Sequence, residues 1–424
     1  MPTHDSIHST ESHELAGATV ILALTGSVAV LRAIDLARLL MRHGARVLPV
    51  MSPAAATFVG PRLVHWATGV EPILGLTGAN EHVEYAGNGR SRADVLLIAP
   101  ATANTIGKIA SAIDDTVVTT FATTAIGQGI PVLIAPAMHE PMAHHPGVAR
   151  NLETLGNLGV TVIPSRLAEG KAKMASPERI LDDVIRAVSR ARGSALAGRK
   201  VLVTAGRTVE YIDPIRVLTN NSSGKMGVAL ARAAFRAGAE VTLVYGKGTA
   251  EPPDCVDLVR VETAREMFDA VMSRAGDGNA GYDALIASAA VGDWEASDRA
   301  PKKITTHGAD RLTITLVPTP KIIDAVKSAH PRLRLVAFRA QHDLSRDEFR
   351  DDARARMEKA GADLIAANDV ARTGVGFETD TNAMTLFHRD GRVVEIPLAS
   401  KQTVASRIIA ELGAVLSEGH GSTR

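Results

Sequence analysis

The feature that most constrains the fold is a grammar that occurs twice. TVILALT at 19–25 leads through a small-residue turn into a helical run from Val28 to His43, then Gly44 and RVLPV at 46–50. KVLVTA at 200–205 leads through a longer connection into a helical run from Met226 to Ala237, then Gly238 and EVTLVYG at 240–246. Each reads as strand, helix, glycine stop, strand. Short aliphatic strands that alternate with helices imply a parallel sheet covered on both faces. The glycine after each helix suits the left-handed residue that ends many helices.

The first unit continues with VLLIAP from Val95, a helix after Asn104, VLIAP from Val132, VTVIP from Val160 and a helix from Pro177 to about Arg192. Ser176 before Pro177 is a favourable helix start. The second continues with ALIASAA from Ala284, LTITLV from Leu312, RLVAF from Arg334 and DLIAAN from Asp363. It ends with a hairpin turning at Asp390-Gly391 and a helix from Ser400 to Leu416. Asp-Gly between two alternating runs is a strong hairpin signal. The expected organisation is a disordered tail over 1–16, a domain over 17–192, a small-residue linker over 193–198, a domain over 199–416 and a tail over 417–424.

Composition narrows the function. The 424 residues carry 47 Lys plus Arg against 46 Asp plus Glu. This near-neutral balance gives no electrostatic reason to expect nucleic acid or a membrane surface as partner. The single cysteine, Cys255, excludes an intramolecular disulfide, a cysteine zinc site and a CxxC redox motif. Aromatic residues are only 3%, so the cores must be built from aliphatic side chains. No apolar run approaches the ~20 residues of a membrane-spanning helix, and the polar start lacks a basic leader region. A cytoplasmic protein is expected.

Familiar phosphate loops fail on inspection. SSGKMG has Thr219 where a P-loop needs its first glycine, and Met226 where it needs the hydroxyl that holds magnesium. Gly246-Lys247-Gly248 runs into Thr-Ala-Glu, so the dinucleotide fingerprint fails as well. This argues against a nicotinamide-dependent oxidoreductase. His139-Glu140 opens like HExxH, but the next histidine is His144 and Pro141 interrupts the helix. His139, His144 and His145 read better as a solvated loop cluster than as a metal site, and no metal ligands can be named.

Three strand-end loops carry more. They are Thr25-Gly26-Ser27, Thr102-Ala-Asn104-Thr105 after Pro100, and Met138-His139 after Pro136. Strand carboxyl ends face the ligand crevice of a doubly wound sheet. Hydroxyls and helix N-terminal N–H groups there can meet a phosphate. One such loop is ordinarily a cap; three in order suggest a cradle for a phosphate and a flat ring.

EHVEYAG, APATANTIGKIASAIDDTVVTT and APAMHEPM resemble the flavin-dependent cysteine decarboxylases that bind FMN. RTVEYIDPIRVLTNNSSGKMG, with the later AND, resembles phosphopantothenate–cysteine ligase. Both in this order, from about residue 17 to 415, resemble the bifunctional coenzyme A biosynthesis family, most closely its archaeal members. The resemblance implies an α/β protein with two doubly wound Rossmann-like domains, an FMN-binding flavoprotein domain followed by a ligase domain. It implies a decarboxylase that oxidises the cysteine moiety of phosphopantothenoylcysteine so that carbon dioxide leaves. Gly26, Ser27, Thr102, Asn104, Thr105 and Met138 then bind FMN, and His82 takes the family's catalytic histidine position. Bacterial members have Asn at the place of His139 and a cysteine acid in the loop that here reads RLAEGKAKM. Lys171, Lys173 and His139 are the candidates to replace that acid. A lysine's ordinary pKa of ~10.4 makes it a poor acid at neutral pH, so phosphate or carboxylate binding is an equal reading of both lysines.

In the ligase half the resemblance implies activation of phosphopantothenate by a nucleotide, CTP in microbes, with Mg2+ or Mn2+, before the amine of cysteine attacks. Asn220 matches the residue that holds the acyl intermediate. Ser222, Ser223, Gly224, Lys225 and Asn368 match phosphate and substrate positions. Ala287, Ser288, Ala289, Asp293, Lys303, Thr319, Pro320, Lys321, Ile322 and Phe338 match nucleotide positions. Thr319-Pro320-Lys321-Ile322 replaces the family's Asn-Pro-Asp-Ile, and Arg356 and Lys359 stand near further family lysines. Homo-oligomers are implied, decarboxylase trimers with His82 near a neighbour's flavin, and ligase dimers. The alternative reading is a ligase whose flavoprotein half is an inactive assembly module.

Overall fold

The computed structural model describes residues 4–276, 281–305, 311–372, 374–376 and 378–418. The chain divides into two compact units, Met1–Gly193 and Ser194–Arg424.

The first unit is built on a five-stranded sheet. From edge to edge its strands are Arg46–Met51, Thr19–Leu24, Val95–Ala101, Val132–Pro136 and Thr161–Val162, all parallel. Numbered along the chain, that is the order 2-1-3-4-5 of a doubly wound sheet, whose direction of winding reverses between the first and third strands. The two-residue period of a strand sorts its side chains. Val20, Leu22 and Leu24 face one layer with Leu36 and Leu40 of the Ala33–Arg42 helix and Val184 of the Pro177–Ala191 helix. Ile21 and Ala23 face the other, with Ile106, Phe121 and Leu155 from three further helices. Each fully buried aliphatic or aromatic side chain contributes about 1.5–3 kcal/mol.

The second unit is an eight-stranded sheet in the order Asp257–Arg260, Glu240–Tyr245, Lys200–Ala205, Ala284–Ala287, Arg334–Gln341, Leu364–Asp369, Thr381–His388 and Val393–Ser400. Six strands run parallel in the order 3-2-1-4-5-6, and the final hairpin adds two antiparallel strands. The switch point lies between Lys200–Ala205 and Ala284–Ala287. The Lys225–Arg236 and Lys401–Glu418 helices cover one face, and the Ala264–Ala275, Ile322–Ala329 and Arg346–Ala360 helices cover the other.

Several expectations need correction. The 4–16 segment is not a free tail: Leu15 is fully buried, and the amides of Ser9, Glu11 and Leu15 donate to the carbonyls of Met41, Arg42 and His43. Residues 1–3 and 419–424 of the expected tails lie outside the described residues. The 194–198 stretch is not a free linker, because Leu196 is 2% exposed and joins the core of the second unit. The helical run from Val28 divides into a 3-10 turn, Val28–Arg32, and an α-helix, Ala33–Arg42. LTITLV gives only Leu316–Pro318, which pairs antiparallel with Trp294–Ala296 in a ribbon outside the main sheet. Leu312 and Leu316 are exposed there, so the apolar alternation marks no core strand.

Candidate active sites

In the first unit, hydrogen bonds tie the strand-end loops to one another. The buried Thr25 hydroxyl donates to Pro100 O at 2.7 Å, and Thr102 N donates to Thr25 Oγ1 at 3.2 Å. Ala137 N donates to Ala101 O at 3.0 Å, which joins the third loop. Ser27 and Thr102 cap the helices that follow, accepting from Ala29 N and Thr105 N. A capping hydroxyl keeps its own proton to donate. Asn104 is exposed, and Thr105 lies buried within 3.1 Å of the Thr102 hydroxyl. Gly26 touches the Pro53–Phe58 helix so closely that a Cβ would stand 2.5 Å from that of Ala54. Met138 lines the apolar layer beneath the third loop.

His82 sits on the Glu81–Ala86 helix, which packs against Val117–Gly127. Its Nδ1 is buried without a hydrogen-bond partner among the described residues. Buried polar atoms are almost always paired, so such an atom calls for a ligand or a neighbour.

The candidate acids fall on a small three-stranded sheet. His139 stands directly opposite Lys171 on antiparallel strands, and Met138 opposite Ala172. Opposed residues of such a pair have Cβ atoms ~4.5–5.5 Å apart and share one face. The Glu169-Gly170 turn puts both residues at positive φ, +53° and +67°, as a two-residue hairpin of type I′ requires. Lys173 forms an ion pair with Glu169 at 2.8 Å. The Lys173 hydrogen bond and charge, with smaller contributions from Lys171 and Arg166, hold the Glu169 carboxyl below its ordinary range. Two candidates are thus brought together, and the third is held by an acid. His145 caps the helix that follows it, and the described residues contain no metal-binding group of His, Cys, Asp or Glu.

In the second unit the loops gather at the switch point. Asn220 Nδ2 donates to Ala290 O at 3.2 Å and Val291 O at 3.1 Å. Asn220 follows a hairpin of Val209–Tyr211 and Val217–Thr219. Ser288 Oγ donates to Thr204 O, and Ala289 N donates to Thr204 Oγ1, which fixes the chain after Ala287 against the central strand. Thr319 is buried; its hydroxyl donates to Gly292 O and its amide to Asp293 O. Lys321 forms an ion pair with Asp293. Pro320 stands between Thr319 and Lys321, and Ile322 is buried at the start of its helix. Lys303 is exposed, and Phe338 packs on the core.

Ser222 and Ser223 are buried before the Lys225–Arg236 helix. Gly224 there has φ +80°, and a Cβ would meet the Tyr245 hydroxyl at 2.8 Å. Lys225 does not point at open space: its Nζ bonds Glu378 O at 3.1 Å and Asp380 Oδ1 at 2.6 Å. Asn368 Nδ2 donates to Asn382 Oδ1 at 3.4 Å. Arg356 and Lys359 both pair with Asp324.

Sequence reasoning passed over four residues here. Arg207 donates to Ser222 O at 2.8 Å, and Thr208 Oγ1 accepts from Gly292 N at 2.8 Å. Asp213 is fully buried, yet its carboxyl is held far below the ordinary range. Burial alone would raise it; the N–H groups of Arg216, Ile304 and Ile215 and the Arg216 guanidinium outweigh that. Arg339 makes a two-nitrogen bond to Asp352 at 2.9 and 3.0 Å. A signal existed for Asp213, since Asp-Pro with Arg three residues on is turn chemistry.

A Flavoprotein family profile matches residues 8–189, and the "DNA/pantothenate metabolism flavoprotein C-terminal domain" profile matches residues 196–415. The chain is 44% identical over 410 residues to a "Coenzyme A biosynthesis bifunctional protein CoaBC" of Thermococcus kodakarensis, covering 97% of this chain and 98% of the relative. It is 35% identical to the Bacillus subtilis protein of that name, covering 93% and 97%, and 32% identical to that of Methanocaldococcus jannaschii, covering 96% of each. Two family profiles, one in each half, and relatives matched over nearly their whole length give the same answer: the chain belongs to the bifunctional coenzyme A biosynthesis family, which joins a phosphopantothenoylcysteine decarboxylase to a phosphopantothenate–cysteine ligase.

Proposed function

We propose that the second unit joins cysteine to 4'-phosphopantothenate with CTP and Mg2+, and that the first unit decarboxylates the product with bound FMN to give 4'-phosphopantetheine. The observation that carries this reading is the Asn220 clasp, which brings the hairpin of the ligase motif onto the loop that leads to Asp293. In the ligase, the substrate carboxylate attacks the α-phosphorus of CTP and pyrophosphate leaves. Lys303 and the Ser222-Ser223-Gly224 turn meet phosphate oxygens. Asn220 holds the acyl group while the cysteine amine displaces CMP. Asp293, Thr319 and Lys321 border the nucleotide.

The residues of the first unit fit a flavin nucleotide. Paired hydroxyls at Thr102 and Thr105, the exposed Asn104, the Gly26 backbone and an apolar bed at Met138 match its phosphate and ring. When bound, the flavin supplies the two-electron chemistry that loosens the carboxylate carbon. His82 orients the substrate, and the His139–Lys171 pair delivers the closing proton. The protein works in the cytoplasm as a homo-oligomer; no helix among the described residues is long and apolar enough to cross a membrane. The test is reconstitution with FMN followed by ligation with CTP and ATP compared. Yellow protein that prefers CTP is expected. Protein that gains no flavin absorbance, or that prefers ATP, refutes the corresponding half.

A further inference from the structure

Asp213 lies in the turn of the hairpin that carries Asn220. Its two carboxylate oxygens do different work. Oδ1 accepts from Ile215 N and Arg216 N, both at 2.7 Å, and so closes the turn locally. Oδ2 accepts from Arg216 Nη1 at 2.5 Å and from Ile304 N at 3.0 Å, 91 residues away in the chain. Arg216 Nη1 also donates to Ile304 O at 2.9 Å, so the backbone of Ile304 is held on both sides. Two more contacts fasten the same segment: Ala300 N donates to Ile212 O at 2.9 Å, and the Arg299 guanidinium lies 4.5 Å over the Tyr211 ring. Lys303 is the neighbour of Ile304 and is itself exposed. The buried carboxylate therefore sits between a hairpin that ends in Asn220 and a segment that ends beside Lys303.

We propose that Asp213 is a positioning residue of the ligase, whose Oδ2 fastens the Lys303 segment to the Asn220 hairpin. The consequence is geometric. The backbone that carries Lys303 and the backbone that carries Asn220 keep one separation, because both hang from the same buried acceptor. Fixing the backbone of an exposed lysine leaves its side-chain bonds free, but it sets the point from which the ammonium reaches and so the volume it can reach. This inference rests on the reading of Lys303 and Asn220 given above.

Asp213→Asn separates the two roles. The amide oxygen can replace Oδ1 and keep the turn, as Asn does in such turns. The amide nitrogen then faces Ile304 N–H and Arg216 Nη1–H, donor against donor. Ile304→Pro removes the same bond from the other side and leaves the carboxylate untouched. In the full chain, both variants should raise the nucleotide KM about tenfold or more, the scale of one lost hydrogen bond to a charged acceptor. The cysteine KM and carbon dioxide release from phosphopantothenoylcysteine should hold. Amide exchange should speed up at Ala300 in both variants and at Ile304 in Asp213→Asn, while Ile215 N stays protected in both. Lys303→Ala should raise the nucleotide KM by itself, and Asp213→Asn added to it should cost little more. If Lys303→Ala is impaired and both clasp variants keep the wild-type nucleotide KM, the proposal is overturned and the reading of Lys303 stands. If the clasp variants lose all parameters together with thermal stability, Asp213 is only structural and the proposal fails. If Lys303→Ala ligates normally, the reading of Lys303 fails and takes the proposal with it.

Discussion

Gly26→Ala is a demanding test of the flavoprotein half, because the change is one methyl group and the structure fixes where it goes. The added Cβ would stand 2.5 Å from the Ala54 Cβ and 3.4–3.5 Å from the Ala54 backbone. Carbon atoms rest at ~3.5–4.0 Å, so the loop and the Pro53–Phe58 helix must part by about 1 Å or more. Ala54 belongs to a helix whose own start is held by the Ser52 cap on Ala55 N, so the helix yields little. Overpacking of this kind costs about 1–3 kcal/mol. Thr25 is buried and bonded to Pro100 and Thr102, so relief without flavin must come from displacing Gly26 and Ser27 outward. Binding needs the loop in place, so the cost returns as lost affinity. At 1.4 kcal/mol per tenfold, FMN affinity falls roughly 5- to 100-fold. The assay is titration of the flavin-free full chain with FMN, followed by quenching of flavin fluorescence, with a thermal melt alongside. Ligation should be unchanged. An FMN affinity within twofold of wild type would refute the claim that this loop touches the cofactor.

Three further outcomes are expected. Asn220→Asp turns two donor bonds, at 3.2 and 3.1 Å, into contacts between oxygens; at about 1 kcal/mol per bond, ligation falls at least tenfold with flavin binding intact, and a wild-type rate would reduce Asn220 to a turn residue. His139→Ala and Lys171→Ala should leave carbon dioxide release intact and slow the return of flavin absorbance in a single turnover by ~10²–10⁴-fold. Lys173→Ala, which frees Glu169, should weaken substrate binding, and excess substrate should rescue it; normal recovery in all three variants would place the acid elsewhere. Burial, helped by the Lys225 charge and opposed by Asp380, lowers Lys401 from 10.5 to about 8. Between those values the unfolded chain holds the extra proton, so stability rises with pH from about 8 to 10.5. Lys401→Met should remove that rise relative to wild type in denaturant melts taken along the pH series, and parallel pH curves would contradict the assignment.

The parallel strands were legible because buried strands of this kind are written as short aliphatic runs, and VLLIAP and ALIASAA announce theirs directly. LTITLV misled because alternation reports a two-faced strand, and a ribbon edge satisfies it as well as a core does. The docked 4–16 segment was unreadable because only Leu15 in it is apolar and fully buried, too little for a pattern. The strand-end loops could be found one by one, whereas their connection through Thr25 needed the register of the sheet. The His139–Lys171 pairing is invisible for the same reason: 32 positions separate residues that face each other only once two short strands align. The Lys225 contact with Asp380 was equally unreadable, because 155 positions separate the two residues.

In the proposed function one chain carries out both steps in succession. The full chain, loaded with FMN and supplied with phosphopantothenate, cysteine, CTP and Mg2+, can be followed by pyrophosphate and carbon dioxide released together. One carbon dioxide is expected for each pyrophosphate, with phosphopantetheine as the product. Pyrophosphate without carbon dioxide, from protein that holds its flavin, would contradict it and leave the first unit an assembly module.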